Sequence, residues 1–283
     1  MLGLSEDEYS ALAASISEIY HSAANVSHYS ADHDSYLKTN VTGTQNIIAL
    51  AESADATLYH ISTCSVSGDV MKDGSTGCVF TEDDYDIGQV WDDNIYVKSK
   101  FLAEGLVLDA MKNGLRAKIF RLGRLVGRVS DGKFQINPET NAFYLTLKGL
   151  IQMGALPETE ASTPIEVTPV DVSAKEVLLL KNSDRKVFHI MNPNPPVLKD
   201  LIRAIVPDFP IVNDDRFNAI FRDKLISLDM ELLPIVMHNW QMLTARDNMI
   251  SVTNIITTDE LSRMGFTLPD AKPEVLLKHF FKK

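Results

Sequence analysis

Short apolar runs alternate with longer amphipathic stretches through the first half of the chain, the pattern of βαβ units that build a parallel sheet. A helix is predicted over 6–14 and a strand over Glu18, Ile19, Tyr20 and His21. An acidic turn at 32–34 then opens a long helix carrying Val41, Ile47, Ile48 and Leu50. The next strand is predicted over 57–63. A loop rich in Gly and Asp, about 70–93, precedes a helix with Tyr96, Phe101, Leu102 and Leu106 that stops at Asn113-Gly114. Residues 117–123 form the strand after it. Beyond Gly127 the rhythm changes to a loop rich in Gly, Asn and Pro, a helix near 141–153 and a short run over 164–170 that ends in Asp171. A strand-like run over 187–191 follows, and then a mainly helical remainder from Leu198, broken at Pro207, Pro210, Pro234, Pro269 and Pro273. The pattern implies an α/β fold of two lobes, with the chain crossing back to the sheet near 164–192.

Composition narrows the class. The chain has 283 residues, 45% of them hydrophobic and 23% charged, enough for one sizeable core with a smaller lobe built on it. No stretch approaches the roughly 18 apolar residues of a membrane span, and the start lacks a secretory pattern, so a cytoplasmic protein without membrane contact is expected. Two cysteines, Cys64 and Cys78, provide no disulfide framework, and no Cys/His spacing suggests a metal. A net charge of −11 without a basic run disfavours nucleic acid.

The chemistry concentrates in two places. Tyr96 and Lys100, four apart on a predicted helix, share one face, and a neighbouring ammonium is expected to ease proton release from a phenol. The strand over 57–63 runs into Ser62-Thr63-Cys64-Ser65, which places hydroxyls at the carboxyl end of a parallel strand, where open α/β sheets bind ligands. A Thr hydroxyl there can donate to a carbonyl oxygen that is gaining charge; a turn that satisfies its own backbone is the alternative. Asp171 and Asn141 read as helix caps, His21 as a core histidine, and Cys64 as a small packing residue.

With these residues in view, the chain resembles the extended short-chain dehydrogenases, and among them the terminal thioester reductase domains of nonribosomal peptide synthetases and carboxylic acid reductases. The resemblance runs nearly the whole length and rests also on Leu2-Gly3-Leu4-Ser5-Glu6, residues 134–143, Thr168-Pro169-Val170-Asp171 and Phe188-His189-Ile190-Met191-Asn192-Pro193. It implies a Rossmann-like sheet, truncated at its N-terminal side, in a dinucleotide-binding domain over 1–136, and a substrate- and carrier-facing lobe over 137–283. Thr63, Tyr96 and Lys100 then match the catalytic set. His21, Ser22, Ala23 and Ala24 resemble the turn that passes under the cofactor, Asn40 the helix residue supporting the site, and Ser62 the partner of the strand-end Thr. Arg121-Leu122-Gly123-Arg124-Leu125-Val126-Gly127 resembles the segment lining the nicotinamide end, with Arg121, Leu122 and Gly123 its implied cofactor-binding positions. The implied cofactor is NADPH, with NADP preferred over NAD by resemblance only. The implied reaction is reductive release of an acyl or peptidyl thioester from the phosphopantetheine arm of a carrier protein, as an aldehyde or, after a second reduction, an alcohol.

The family opens with a strand, a Gly-rich turn and a helix that holds the cofactor pyrophosphate. No such element precedes Leu2, and the chain enters the pattern just before the fourth strand. A fragment, a mis-started reading frame and one piece of a split protein all account for this. Each predicts an exposed edge at Ile19-Tyr20, open to the missing segment or to self-association, and weak cofactor binding by this chain alone. Two other functions share the residues: a nucleotide-sugar epimerase or dehydratase with the same catalytic set, and a non-catalytic module that retains only the carrier-facing lobe.

Overall fold

A computed structural model describes residues 2–26, 32–91, 94–225 and 249–280. The expected break at Pro234 lies outside the described residues. The chain divides into two compact units: one comprises 1–123, 176–190 and 249–266, the other 124–175, 191–248 and 267–283.

The first unit is built on a parallel sheet of four strands in the order β1-β2-β6-β10. These are β1 (Glu18–His21), β2 (Thr57–Thr63), β6 (Ala117–Leu122) and β10 (Val187–Ile190), and their bounds fall within a residue of the expected runs. Alternation along β2 explains its double burial. Leu58 packs with Ala51, Val107, Ala117 and Ile119 on one side, while Tyr59 joins Phe120, Val177, Leu180, Phe188 and Ile190 on the other, as a parallel strand covered on both faces requires.

On the first of those faces lie α3 (Gly43–Ser53) and α4 (Ile95–Lys112). The N-cap Asn94 accepts from the Val97 amide at 3.2 Å and starts α4, and the chain turns at Asn113-Gly114, so the helix ends where its sequence signal stands. The long helix expected after residue 32 is instead α2 (His33–Tyr36), a π-helical stretch Leu37–Thr42 and then α3. Before them, α1 (Glu6–Ser15) opens with a capping box between Ser5 and Glu8. The loop before α4 carries three short strands, β3 (Val70–Met71), β4 (Val79–Phe80) and β5 (Gln89–Val90).

The second unit holds β7 (Leu125–Val126) paired with β9 (Thr168–Pro169), β8 (Leu156–Pro157) paired with β11 (Ile211–Val212), and the helices α5 (Ala142–Met153), α6 (Glu158–Ala161), α8 (Leu198–Arg203) and α9 (Asp214–Leu225). Helix α7 (Val170–Leu180) carries the chain from this unit to the first. Phe143, Leu147, Leu150, Leu201, Leu276 and Phe280 belong to the core of the second unit. Gly127 is required there, because a Cβ would stand 2.3 Å from the Leu276 carbonyl oxygen.

Three expectations are corrected. The units part between Gly123 and Arg124 and not at 136/137, because β7 already pairs inside the second unit. The stretch 249–266 returns to the first unit, where β12 (Ser251–Val252) pairs with β4. Asp171 is no mere cap: its carboxylate accepts from the amides of Val129 at 2.9 Å and Ser130 at 3.1 Å, which anchors a remote loop. No described helix is long and apolar enough to cross a membrane.

Candidate active site

Strand β2 ends at Thr63, and the chain then tightens into a short 3-10 turn, Cys64–Ser67, in which the Thr63 hydroxyl accepts from the Ser65 amide at 3.2 Å. The same hydroxyl hydrogen-bonds the Tyr96 side chain. Tyr96 stands in the first turn of α4, so capping by Asn94 sets where the phenol emerges. One turn on, the buried Lys100 donates from Nζ to the Ile61 carbonyl at 2.7 Å. Thr63, Tyr96 and Lys100 thus meet at the carboxyl edge of the sheet, and the hydroxyl run reaches beyond its own turn.

The electrostatics differ from the expected phenol–ammonium coupling. Burial raises the Tyr96 pKa above the ordinary tyrosine value, with the Thr63 hydrogen bond acting in the opposite direction. Burial also pushes Lys100 down to about 8, opposed by the charge of Glu104. The ammonium is spent on a strand carbonyl. The Thr63 hydroxyl is the group that acts against burial at the phenol.

A buried polar seam behind these groups fixes them. Ser62 donates from Oγ to Glu104 Oε2 at 2.6 Å, and Glu104 is a further turn along α4 from Lys100. Arg121, on β6, donates to Glu104 Oε1 from Nε at 3.0 Å and from Nη2 at 2.7 Å. It also reaches the carbonyls of Thr81 and Asp84 and stands 2.9 Å from His189 Nε2. Neither Arg121 nor Glu104 is more than 1% exposed. The Arg121 side chain is therefore consumed inside the unit, and of the predicted trio only Leu122 and Gly123, both part-exposed, remain to face a ligand.

The predicted turn after β1 is also located. His21 is buried and stands 3.1 Å from the Thr44 hydroxyl, while Ser22 and Ala23 are exposed and Ala24 is half-buried. Burial, and secondarily the Lys100 charge, pushes the His21 imidazole down to about 4. Asn40, in the π-helical stretch, donates from Nδ2 to Ser99 Oγ at 2.8 Å and to the Asn25 carbonyl at 3.0 Å, and accepts from the Asn25 amide at 2.7 Å. Such stretches recur at functional sites, and this one ties the turn to α4. Asn25, Ser99 and Glu104 escaped the sequence reading. Glu104 had a signal, since it repeats the four-residue spacing of Tyr96 and Lys100.

Comparison with known proteins identifies the family and the fold. The model of the NAD-binding family described as male sterility protein matches residues 1–177. A linear gramicidin synthase of Brevibacillus parabrevis is 30% identical over 207 residues, 72% of this chain and 4% of that protein. Glycine betaine reductase ATRR of Emericella nidulans is 30% identical over 227 residues, 75% of this chain and 17% of that protein. A thiolation-reductase di-domain from an archaeal non-ribosomal peptide synthetase superposes with a TM-score of 0.85 at 30% identity, covering 97% of this chain and 58% of that one. The chain thus spans only part of the proteins it matches. Its parallel sheet, strand-end Thr63 and helical Tyr96 and Lys100, together with these matches, show that the chain belongs to the NAD-binding male sterility family of extended short-chain dehydrogenases, a lineage of NAD(P)H-dependent oxidoreductases that includes the reductase domains of nonribosomal peptide synthetases.

Proposed function

We propose that this chain carries the catalytic residues of an NADPH-dependent thioester reductase, which releases an acyl or peptidyl group from the phosphopantetheine arm of a carrier protein as an aldehyde. The observation that carries the reading is the Thr63–Tyr96 hydrogen bond with Lys100 one turn away. Two hydroxyls side by side at a sheet edge suit a carbonyl oxygen that becomes an alkoxide. Thr63 donates to that oxygen, and Tyr96 donates and then transfers its proton. Lys100, with a pKa of about 8, supplies positive charge near neutral pH.

The donor set fits the nicotinamide end of a cofactor. Bound there, the cofactor supplies the hydride. Lys100, the turn of Ser22, Ala23 and Ala24, and the main chain at Leu122 and Gly123 are the groups that would hold it. Among the described residues no strand runs into a turn with the Gly-x-Gly-x-x-Gly spacing for a pyrophosphate. The second unit supplies the acyl pocket and carrier-facing surface in this reading.

Substrate class is tested by incubating the protein with NADPH and either an acyl group loaded on a carrier protein or a panel of nucleotide sugars, with aldehyde trapped as a hydrazone. Hydrazone from the carrier-loaded acyl group alone supports the proposal. Turnover confined to nucleotide sugars would identify an epimerase or dehydratase, and carrier binding without turnover a non-catalytic module.

A further inference from the structure

Arg116, Arg121, Arg128, Arg185 and Arg263 each pair with a carboxylate. Arg124, at the start of the second unit, does not. Its main-chain amide donates to Glu166 Oε2 at 2.5 Å, whereas its guanidinium meets no hydrogen-bond acceptor among the described residues. Glu166 is otherwise occupied as well, its Oε1 accepting from the Thr168 hydroxyl and from the Asn192 amide at 3.2 Å. The carboxylate beside Arg124 is thus held by the backbone and a hydroxyl; its charge acts on the guanidinium, but none of the guanidinium donors bonds an acceptor among the described residues.

Two features hold those donors in place. The guanidinium lies over the Phe143 ring, 5.1 Å from its centroid, a stacking that orients a planar cation without using its N–H groups. Phe143 is the second residue of α5, whose 12 residues begin after the N-cap Asn141, so the positive end of a helix dipole converges on the same ring. The side chain is solvent-accessible, yet burial lowers its pKa from the ordinary arginine value. A guanidinium fork oriented on an aromatic ring beside a helix N-terminus suits an oxyanion, and bidentate phosphate recognition suits it best.

We propose that Arg124 is an anion-recognition residue, its guanidinium on the Phe143 ring binding a phosphate of the ligand: the phosphate of the phosphopantetheine arm or one of the dinucleotide. The thioester reductase reading enters only in naming these two sources.

The test is calorimetric titration of the whole protein and its Arg124→Gln and Arg124→Lys variants with 4′-phosphopantetheine, pantetheine and NADPH. Because the side chain is exposed, the variants should melt as the parent does. The parent should bind phosphopantetheine about tenfold more tightly than pantetheine. Arg124→Gln should abolish that preference while leaving pantetheine unchanged, and Arg124→Lys, a point charge without the fork, should retain part of it. If the preference survives and NADPH alone weakens about tenfold, the phosphate is the dinucleotide's and the inference stands with that source. It is overturned if Arg124→Gln changes neither ligand, or if the parent shows no preference for phosphorylated pantetheine and no NADPH binding. Phosphate discrimination without aldehyde formation would sink the thioester reductase reading and leave this inference intact.

Discussion

At the scale of single residues, the seam behind Tyr96 sets the stability of the site. Arg121 and Glu104 are an ion pair fully removed from water, and such a pair punishes the loss of one partner more than its presence rewards. Glu104→Ala is therefore expected to destabilise the protein by about 3–5 kcal/mol in urea denaturation, because Arg121 would stay buried without a carboxylate. A loss below about 1 kcal/mol would show that the pair is solvated. Buried histidines set the response to acid. Burial, with the Arg121 charge second, pushes His189 down to about 4, as happens to His21. An unfolded histidine titrates near pH 6.5, so between about 6.5 and 4 the unfolded chain takes up protons that the folded chain refuses. Stability should fall with pH across that window by roughly 3 kcal/mol for each of the two. Glu176 acts oppositely, since burial pushes it up to about 8 and its contribution is lost as pH rises from about 4.5 to 8. Two histidines outweigh one carboxyl, so the thermal midpoint should be lower at pH 5 than at pH 7; an equal or higher midpoint at pH 5 contradicts the assignment.

At the scale of elements, α4 is the part that sequence reads best. Asn94 starts it, Asn113-Gly114 stops it, and the four-residue spacing sends Tyr96, Lys100 and Glu104 to one face. What sequence could not supply is what that face meets. Gly105 illustrates this, because a Cβ there would lie 2.3 Å from the Tyr85 hydroxyl, which donates to the Phe101 carbonyl at 2.9 Å while the ring stacks on Phe101 with centroids 4.3 Å apart. Gly105→Ala, ordinarily favourable in a helix, is expected here to cost about 1–3 kcal/mol by overpacking, measurable as a lower denaturation midpoint. The π-helical stretch was invisible for a similar reason: its apolar spacing is that of a helix, and only the Asn40 side chain, bonded to Asn25 and Ser99, reveals the extra residue. Asn40→Ala removes the acceptor for the Asn25 amide and should raise its hydrogen-exchange rate by about tenfold or more, as loss of a bond worth about 1.4 kcal/mol would. Unchanged protection of Asn25 would deny Asn40 its positioning role.

At the scale of the whole chain, the parallel sheet was legible because β2 and β6 are short apolar runs separated by a capped helix. The interleaving of the two units was only half legible. The return through Val187–Ile190 announces itself as an apolar run, whereas the return at 249–266 depends on a strand of two residues, Ser251–Val252, pairing with Val79–Phe80. It also depends on the buried Glu82, whose Oε1 accepts from the Thr257 amide and hydroxyl at 2.8 Å. No local pattern encodes a contact 175 residues apart. The gathering of Thr63, Tyr96 and Lys100 was legible from spacing and strand-end position; the diversion of Lys100 to the Ile61 carbonyl and of Arg121 into the core was not, since both depend on partners distant in sequence.

The central claim is that Tyr96, bonded to Thr63, is the proton donor of a carbonyl reduction. Its most direct test is single-turnover NADPH oxidation by the protein with a carrier-loaded acyl thioester, comparing the parent chain with Tyr96→Phe. A Tyr96→Phe rate roughly 10²–10⁴-fold below the parent's, with the carrier still bound, is the result expected when a general acid is removed. A Tyr96→Phe chain that turns over at the parent's rate would contradict the account.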